Sequence, residues 1–186
     1  MKINSKLLVC GIAMMGLISS RTFSAGSDEE LIARLKDSKL TLLEGIAYAE
    51  LNSGPATSAK FELDKGNLML SIYTAPQGLE TSPELTDLTE LSGVASASQF
   101  QPEAEVFTDK AHIARASVHQ AIRQLSKLTL SEIIEQALKV QPGSAYSVKN
   151  PMIRNGKAVA DVSIADRKGH SVQVTINVQT GDVVVN

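Results

Sequence analysis

KLTLSEIIEQALKVQPG (Lys127–Gly143) is the stretch on which the fold turns. Thr129 with Glu132 three residues on has capping-box spacing, and Pro142-Gly143 is a stop signal, so a helix is predicted between them. Ile133, Ile134, Ala137 and Leu138 recur at helical spacing and predict its buried face. The period then changes. Asn155-Gly156 is a hairpin signal, after which Ala158, Ala160, Val162 and Ile164 alternate. Arg167-Lys168-Gly169 makes a second turn, followed by Val172, Val174, Ile176 and Val178. Thr180-Gly181-Asp182 makes a third, ahead of Val183 and Val185. One helix and an antiparallel meander make an α+β unit.

Upstream, much of this pattern recurs. KLTLLE (Lys39–Glu44) matches KLTLSE (Lys127–Glu132), and Thr41 with Glu44 repeats the capping box. The helix predicted over Lys39 to Pro55 has Leu42, Leu43, Ile46, Ala49 and Leu51 on its apolar side. Ala59, Phe61 and Leu63, a turn at 64–67, then Leu68, Leu70 and Ile72 read as a hairpin. The helices lie 88 residues apart and the turns 90, which predicts an internal repeat with a small insertion. The first copy lacks the ending of the second: Thr74 to Gly93 reads as loop with one short helix near Leu85 to Leu91. Residues 66–109 contain no Lys or Arg but seven acids, which reads as a solvated acidic loop or a docking surface for a basic partner.

Two further helices are predicted. Ser27 with Glu30 caps one that carries Leu31, Ile32 and Leu35 on one face. Thr108 to Ser126 is the other, capped by Thr108 or Asp109, with Ala114, Val118, Ala121, Ile122 and Leu125 as its apolar face. His112, Arg115, His119 and Arg123 fall opposite, either as a solvated face or as a contact for an anion or acidic peptide. This helix is expected to bridge the two units so that they share one core.

The unit at Lys127–Asn186 resembles the PepSY domain family, and Lys39–Thr74 resembles it in part. The residues that carry the likeness are the helix from Leu130, the Pro142-Gly143 stop, the Asn155-Gly156 hairpin and the Thr180-Gly181 turn. The family commonly has Asp three residues before that Thr, where this chain has Asn177. The resemblance implies two PepSY-like units, each a helix laid across an antiparallel sheet. It also implies a non-catalytic inhibitor, chaperone-like or sensory module acting on exported partners, often peptidases. The expected organisation is a signal peptide at 1–25, a degenerate N-terminal unit with an acidic loop at 26–107, and a C-terminal unit at 108–186.

Met1 to Ala25 has the pattern of a secretory signal: Lys2 and Lys6, then an apolar run from Leu7 to Ile18, with cleavage after Ser24 or Ala25. The run is short of the ~20 apolar residues a membrane span needs. Its removal takes the single cysteine, Cys10, and leaves 15 basic against 20 acidic residues, a net charge of −5. That balance, with no tryptophan, argues against nucleic acid as a partner.

No catalytic, cofactor or metal-binding residue emerges. His112 and His119 are two helical turns apart, ~10 Å, too far to chelate one ion as an i, i+4 pair does. Ser117 near His119, and Ser171 beside His170, lack an elbow motif. Glu132 with Glu135, and Asp161 with Asp166, read as carboxylates on exposed faces. The expectation is a periplasmic or secreted binding or regulatory protein for an exported protein or peptide, with no membrane insertion once the signal is gone. A carrier of a small apolar ligand, held between helix and sheet, is the alternative. The last strand, Gly181 to Asn186, with Val183, Val184 and Val185, is expected at a sheet edge, either open to a partner's strand or covered by its neighbours.

Overall fold

The structure, a computed structural model, describes residues 25–82, 85 and 87–184. The segment read as a signal peptide lies outside them except for Ala25, as does Val185. Among the described residues, four α-helices and eight strands follow in the order α1 (Ala25–Arg34), α2 (Leu42–Ser53), β1 (Ala56–Asp64), β2 (Asn67–Thr74), β3 (Leu88–Val94), β4 (Glu103–Phe107), α3 (Lys110–Gln124), α4 (Leu130–Val140), β5 (Ser144–Val148), β6 (Met152–Arg154), β7 (Lys157–Ala165) and β8 (Ser171–Asn177). The fold is α+β, and every strand pairing is antiparallel.

The strands form one sheet, β4-β3-β2-β1-β5-β7, to which β6 and β8 add through β7. β8 pairs with Val159 to Ala165 along one side of β7, while β5 and β6 take successive parts of the other. The two halves of the chain meet where β1 pairs with β5, Ala59 with Val148 and Lys60 with Ser147. Each half has the order helix, then antiparallel strands, and each helix is anchored alike. The Lys39 amide donates to Ala95 O (2.9 Å) and the Lys127 amide to Val178 O (3.0 Å). In turn the Ala95 amide donates to Leu68 O (2.8 Å) and the Val178 amide to Ala158 O (3.0 Å). Both capping boxes form, Thr41 with Glu44 and Thr129 with Glu132.

One face of the sheet carries the core. Leu42, Ile46 and Ala49 of α2 and Leu130, Ile133, Ile134 and Ala137 of α4 pack in a single cluster with inward residues of both halves. Gly45 lets α2 sit close on β2, since a Cβ there would come within 2.3 Å of Leu70. Leu31 of α1 joins the cluster. The hairpin turns are as expected from the sequence: Lys65-Gly66 and Asn155-Gly156 all adopt positive φ, the geometry that fits a two-residue hairpin loop to twisted strands.

Several expectations are overturned. Ser27 lies inside α1 rather than ahead of it. Leu51, placed on the apolar side of α2, is 86% exposed. The segment read as loop with a short helix holds β3, and β4 lies in the stretch read as an acidic loop. Neither face of Leu88–Val94 is apolar throughout, so its strand is fixed by pairing with β2 and β4 rather than by a local pattern. The shared core is made by α2, α4 and the β1–β5 junction, not by α3, none of whose residues enters the cluster among those described.

Candidate interaction surfaces

α3 lies against the other face of the sheet, touching β1, β3 and β6. Asp109 caps it by accepting from the amides of Ala111 and His112 (both 3.1 Å). The His112 ring pairs with the Asp109 carboxylate and stacks on Phe107 at 4.5 Å; Phe107 stacks in turn on Tyr73 at 6.3 Å. This ladder ties the start of the helix to the outward face of β2 and β4. Burial, then the charge and hydrogen bond of Glu90, push the Tyr73 phenol well above its ordinary range, with Glu62 and Glu105 adding to the effect.

Beyond this anchor the helix presents the face opposite to the one its apolar pattern predicts. Ala116, Gln120 and Arg123 are buried. Of the predicted apolar face, Val118 is 58% and Leu125 48% exposed, Ala114 and Ala121 are exposed beside them, and Ile122 is half-buried. The physical reason is the surface it covers. The outward residues beneath it include Thr57 and Asn150, and the loop after β2 turns its carbonyls toward the helix. Gln120 Nε2 donates to Gly78 O (3.3 Å), Leu79 O (3.1 Å) and Thr81 O (2.8 Å), and Gln124 Nε2 donates to Leu79 O as well. An apolar stripe there would leave those carbonyls without donors, at a cost of ~1–3 kcal/mol for each one buried.

The four residues read as a basic stripe therefore do not form one surface. Arg115 is exposed and His112 is committed to Asp109 and Phe107. His119 is half-buried; burial, then the charge of Arg115, lower its pKa. Arg123 is only 5% exposed. Burial lowers the pKa of its guanidinium, against the opposing pull of Glu50 and Glu132. A small residue, Ala116, within the polar stripe was the available sign of close approach.

The sheet ends differ: β4 is open on one side among the described residues, whereas β8 is partly covered by the chain beyond it. β4 pairs only with β3, and Glu103 to Val106 are exposed. At the other edge the chain folds back beyond β8: Asn177 N donates to Asp182 O and Val184 N to Thr175 O, both at 2.8 Å. Asn177 Oδ1 accepts from Gln179 N (2.9 Å), which supplies the turn's side-chain bond where the resemblance leads one to expect Asp. Val183 is exposed and Val184 half-buried.

Asp161 is not on an exposed face. It is 3% exposed, accepts from Arg154 Nη2 (2.8 Å) and Thr175 Oγ1 (2.8 Å), and is deeply embedded in β7. Burial alone would raise its pKa; these bonds and the nearby charges of Arg154 and Lys149 outweigh that and lower it. On the core side, an apolar cleft of about 340 Å³ opens between the start of α2 and the end of α4. Among the described residues no three His, Cys, Asp or Glu are gathered to hold a metal ion, and no helix is long and apolar enough to cross a membrane.

No family model and no curated protein matches the chain. Among solved structures, a candidate lipoprotein from Clostridium difficile 630 aligns at a TM-score of 0.41 and 12% identity, over 80% of this chain and 92% of that one.

Proposed function

We propose that this chain is a non-catalytic binding or regulatory module of the PepSY kind, exported to the periplasm or secreted, whose partner is another exported protein or peptide. The observation that carries this reading is the inverted α3, with Val118 and Leu125 turned to solvent and Gln120 and Arg123 buried beneath. An amphipathic helix face of this kind gains by lying in another surface's groove. The PepSY resemblance of Lys127–Asn186 supports the reading and makes an exported peptidase the first partner to try. The test compares the mature chain with its Val118→Glu/Leu125→Glu variant in pull-downs from the same envelope extract. A partner held by the wild type and lost by a variant of unchanged melting temperature supports the proposal. Equal retention by both overturns the role of α3, and substrate turnover abolished by a point mutation overturns the non-catalytic reading.

A second reading, a carrier of a small apolar ligand, is favoured by the cleft between α2 and α4. Native mass spectrometry of freshly purified protein separates the two: a co-purified small molecule supports the carrier, an attached peptide the interaction module.

A further inference from the structure

β1 and β5 join the two halves through only two residue pairs, Ala59 with Val148 and Lys60 with Ser147. Past Lys60 the strands part, and the cleft opens there, with the N-terminal turn of α2 on one side and the C-terminal turn of α4 on the other. Leu35, Leu40, Leu43, Phe61, Leu138 and Ala145 give it an apolar lining. Its volume, about 340 Å³, falls within the ~300–1,000 Å³ of small-molecule sites. The other end of the helix pair holds a buried charge instead. Arg123 stands as far ahead of α4 as Leu35 does of α2, and it is buried there within electrostatic reach of Glu50 and Glu132.

Two charged side chains, Lys39 and Glu44, line the cleft. The Glu44 carboxylate is already engaged, accepting from Thr41 N (2.6 Å) and Thr41 Oγ1 (2.9 Å). The Lys39 backbone is fixed by its bond to Ala95 O (2.9 Å), while its ammonium has no ion pair among the described residues. The rim thus carries a carboxylate held to its own helix cap and, among the described residues, an ammonium without an ion pair. That ammonium over an apolar lining is complementary to an apolar chain that ends in a single negative charge.

We propose that this cleft binds a medium-chain aliphatic carboxylate, its chain between α2 and α4 and its carboxylate at Lys39. The proposal rests on the carrier reading and adds the charge of the ligand and its orientation. The test is calorimetric titration of the mature chain with decanoate and with decanol, its neutral counterpart. Decanoate is expected to bind one per chain and more tightly than decanol. Lys39→Glu, on the exposed rim, should weaken decanoate by about fivefold or more while leaving decanol within about twofold. Ala145→Phe should abolish both, and Arg115→Glu, on α3, should affect neither. Amide shifts on adding decanoate to the wild type, expected at Phe61 and Ala145, locate the site even if Ala145→Phe does not fold. Equal affinity for decanol and decanoate, or a Lys39→Glu variant without effect, overturns the carboxylate assignment while the carrier reading stands. Binding of neither compound overturns both, and shifts confined to another surface overturn the site.

Discussion

α3 and α4 follow one another in the chain, both are amphipathic, and they dock with opposite logic. α4 buries its apolar face on apolar strands, so its orientation can be read from its own residues. α3 lies over a polar sheet face and a loop whose carbonyls accept from Gln120, so that amide turns inward and Val118 and Leu125 turn out. Arg123 is buried beside it, its Nε lacking a hydrogen-bond partner among the described residues. Periodicity gives a helix two faces; only the surface beneath decides which is buried.

The sharpest way to break this comparison is to put the same charge on each helix. Ile134 has 0% exposure, so Ile134→Asp places an unpaired carboxylate in the core and should cost about 4 kcal/mol or more. Val118→Asp faces solvent and should stay within ~0.5 kcal/mol of wild type. Urea denaturation of both variants decides it; similar losses would mean that α3 buries Val118 after all.

The contrast also marks how far the sequence could be read. Both capping boxes, both glycine turns and the inward residues of β1, β2, β7 and β8 were legible, because in each case local pattern and tertiary demand agree. β3 was not: Leu88, Glu90 and Ser92 alternate with Thr89, Leu91 and Gly93, so neither set announces a buried face. The site fared worse than the fold. The inward turn of Gln120 depends on the carbonyls of Gly78, Leu79 and Thr81, and Arg123 is buried within electrostatic reach of Glu50 and Glu132, all but the last distant in sequence from α3. The cleft comes from the divergence of β1 and β5, which no local spacing records.

A second measurement sharpens the view of the outer face. α3 covers polar groups in one region, whereas in the second half the strands satisfy their own buried charge, Asp161, through Arg154 and Thr175. Asp161→Ala would remove the acceptor for both and should cost ~1–3 kcal/mol by thermal unfolding. Because the folded pKa of Asp161 is lowered, its contribution is present above the unfolded value of ~3.9 and is lost as pH falls through the folded value. A variant losing as much stability at pH 2 as at pH 7 would rule out this pairing as the source.

The two halves can be weighed against each other through their caps. Thr41→Ala and Thr129→Ala each remove an acceptor for an N3 amide (3.2 Å in both) and should each cost ~1 kcal/mol. Chemical denaturation that finds one cap more than twice as costly as the other would show that the matching geometry conceals an energetic difference between the halves.

The smallest effect expected comes from His119, where the polar underside of α3 meets the sheet. It shares a small pocket with Thr57, Leu88, Gln120 and Asn150, while Arg115 supplies a positive charge from the same helix. None of those facing residues carries a negative charge, so burial and Arg115 both favour the neutral ring. The folded pKa is therefore below the ordinary ~6.5 of an unfolded chain, and the unfolded state takes up the proton first as pH falls. Stability referable to His119 should be complete above pH ~6.5 and decline as pH drops below it, until the folded value is passed. His119→Gln keeps a polar side chain that cannot titrate there. The difference in melting temperature between wild type and variant should shift against the wild type between pH 7 and pH 5.5. A difference that stays constant over that interval would mean that His119 titrates alike in both states, and that the underside of α3 is wetter than its packing implies.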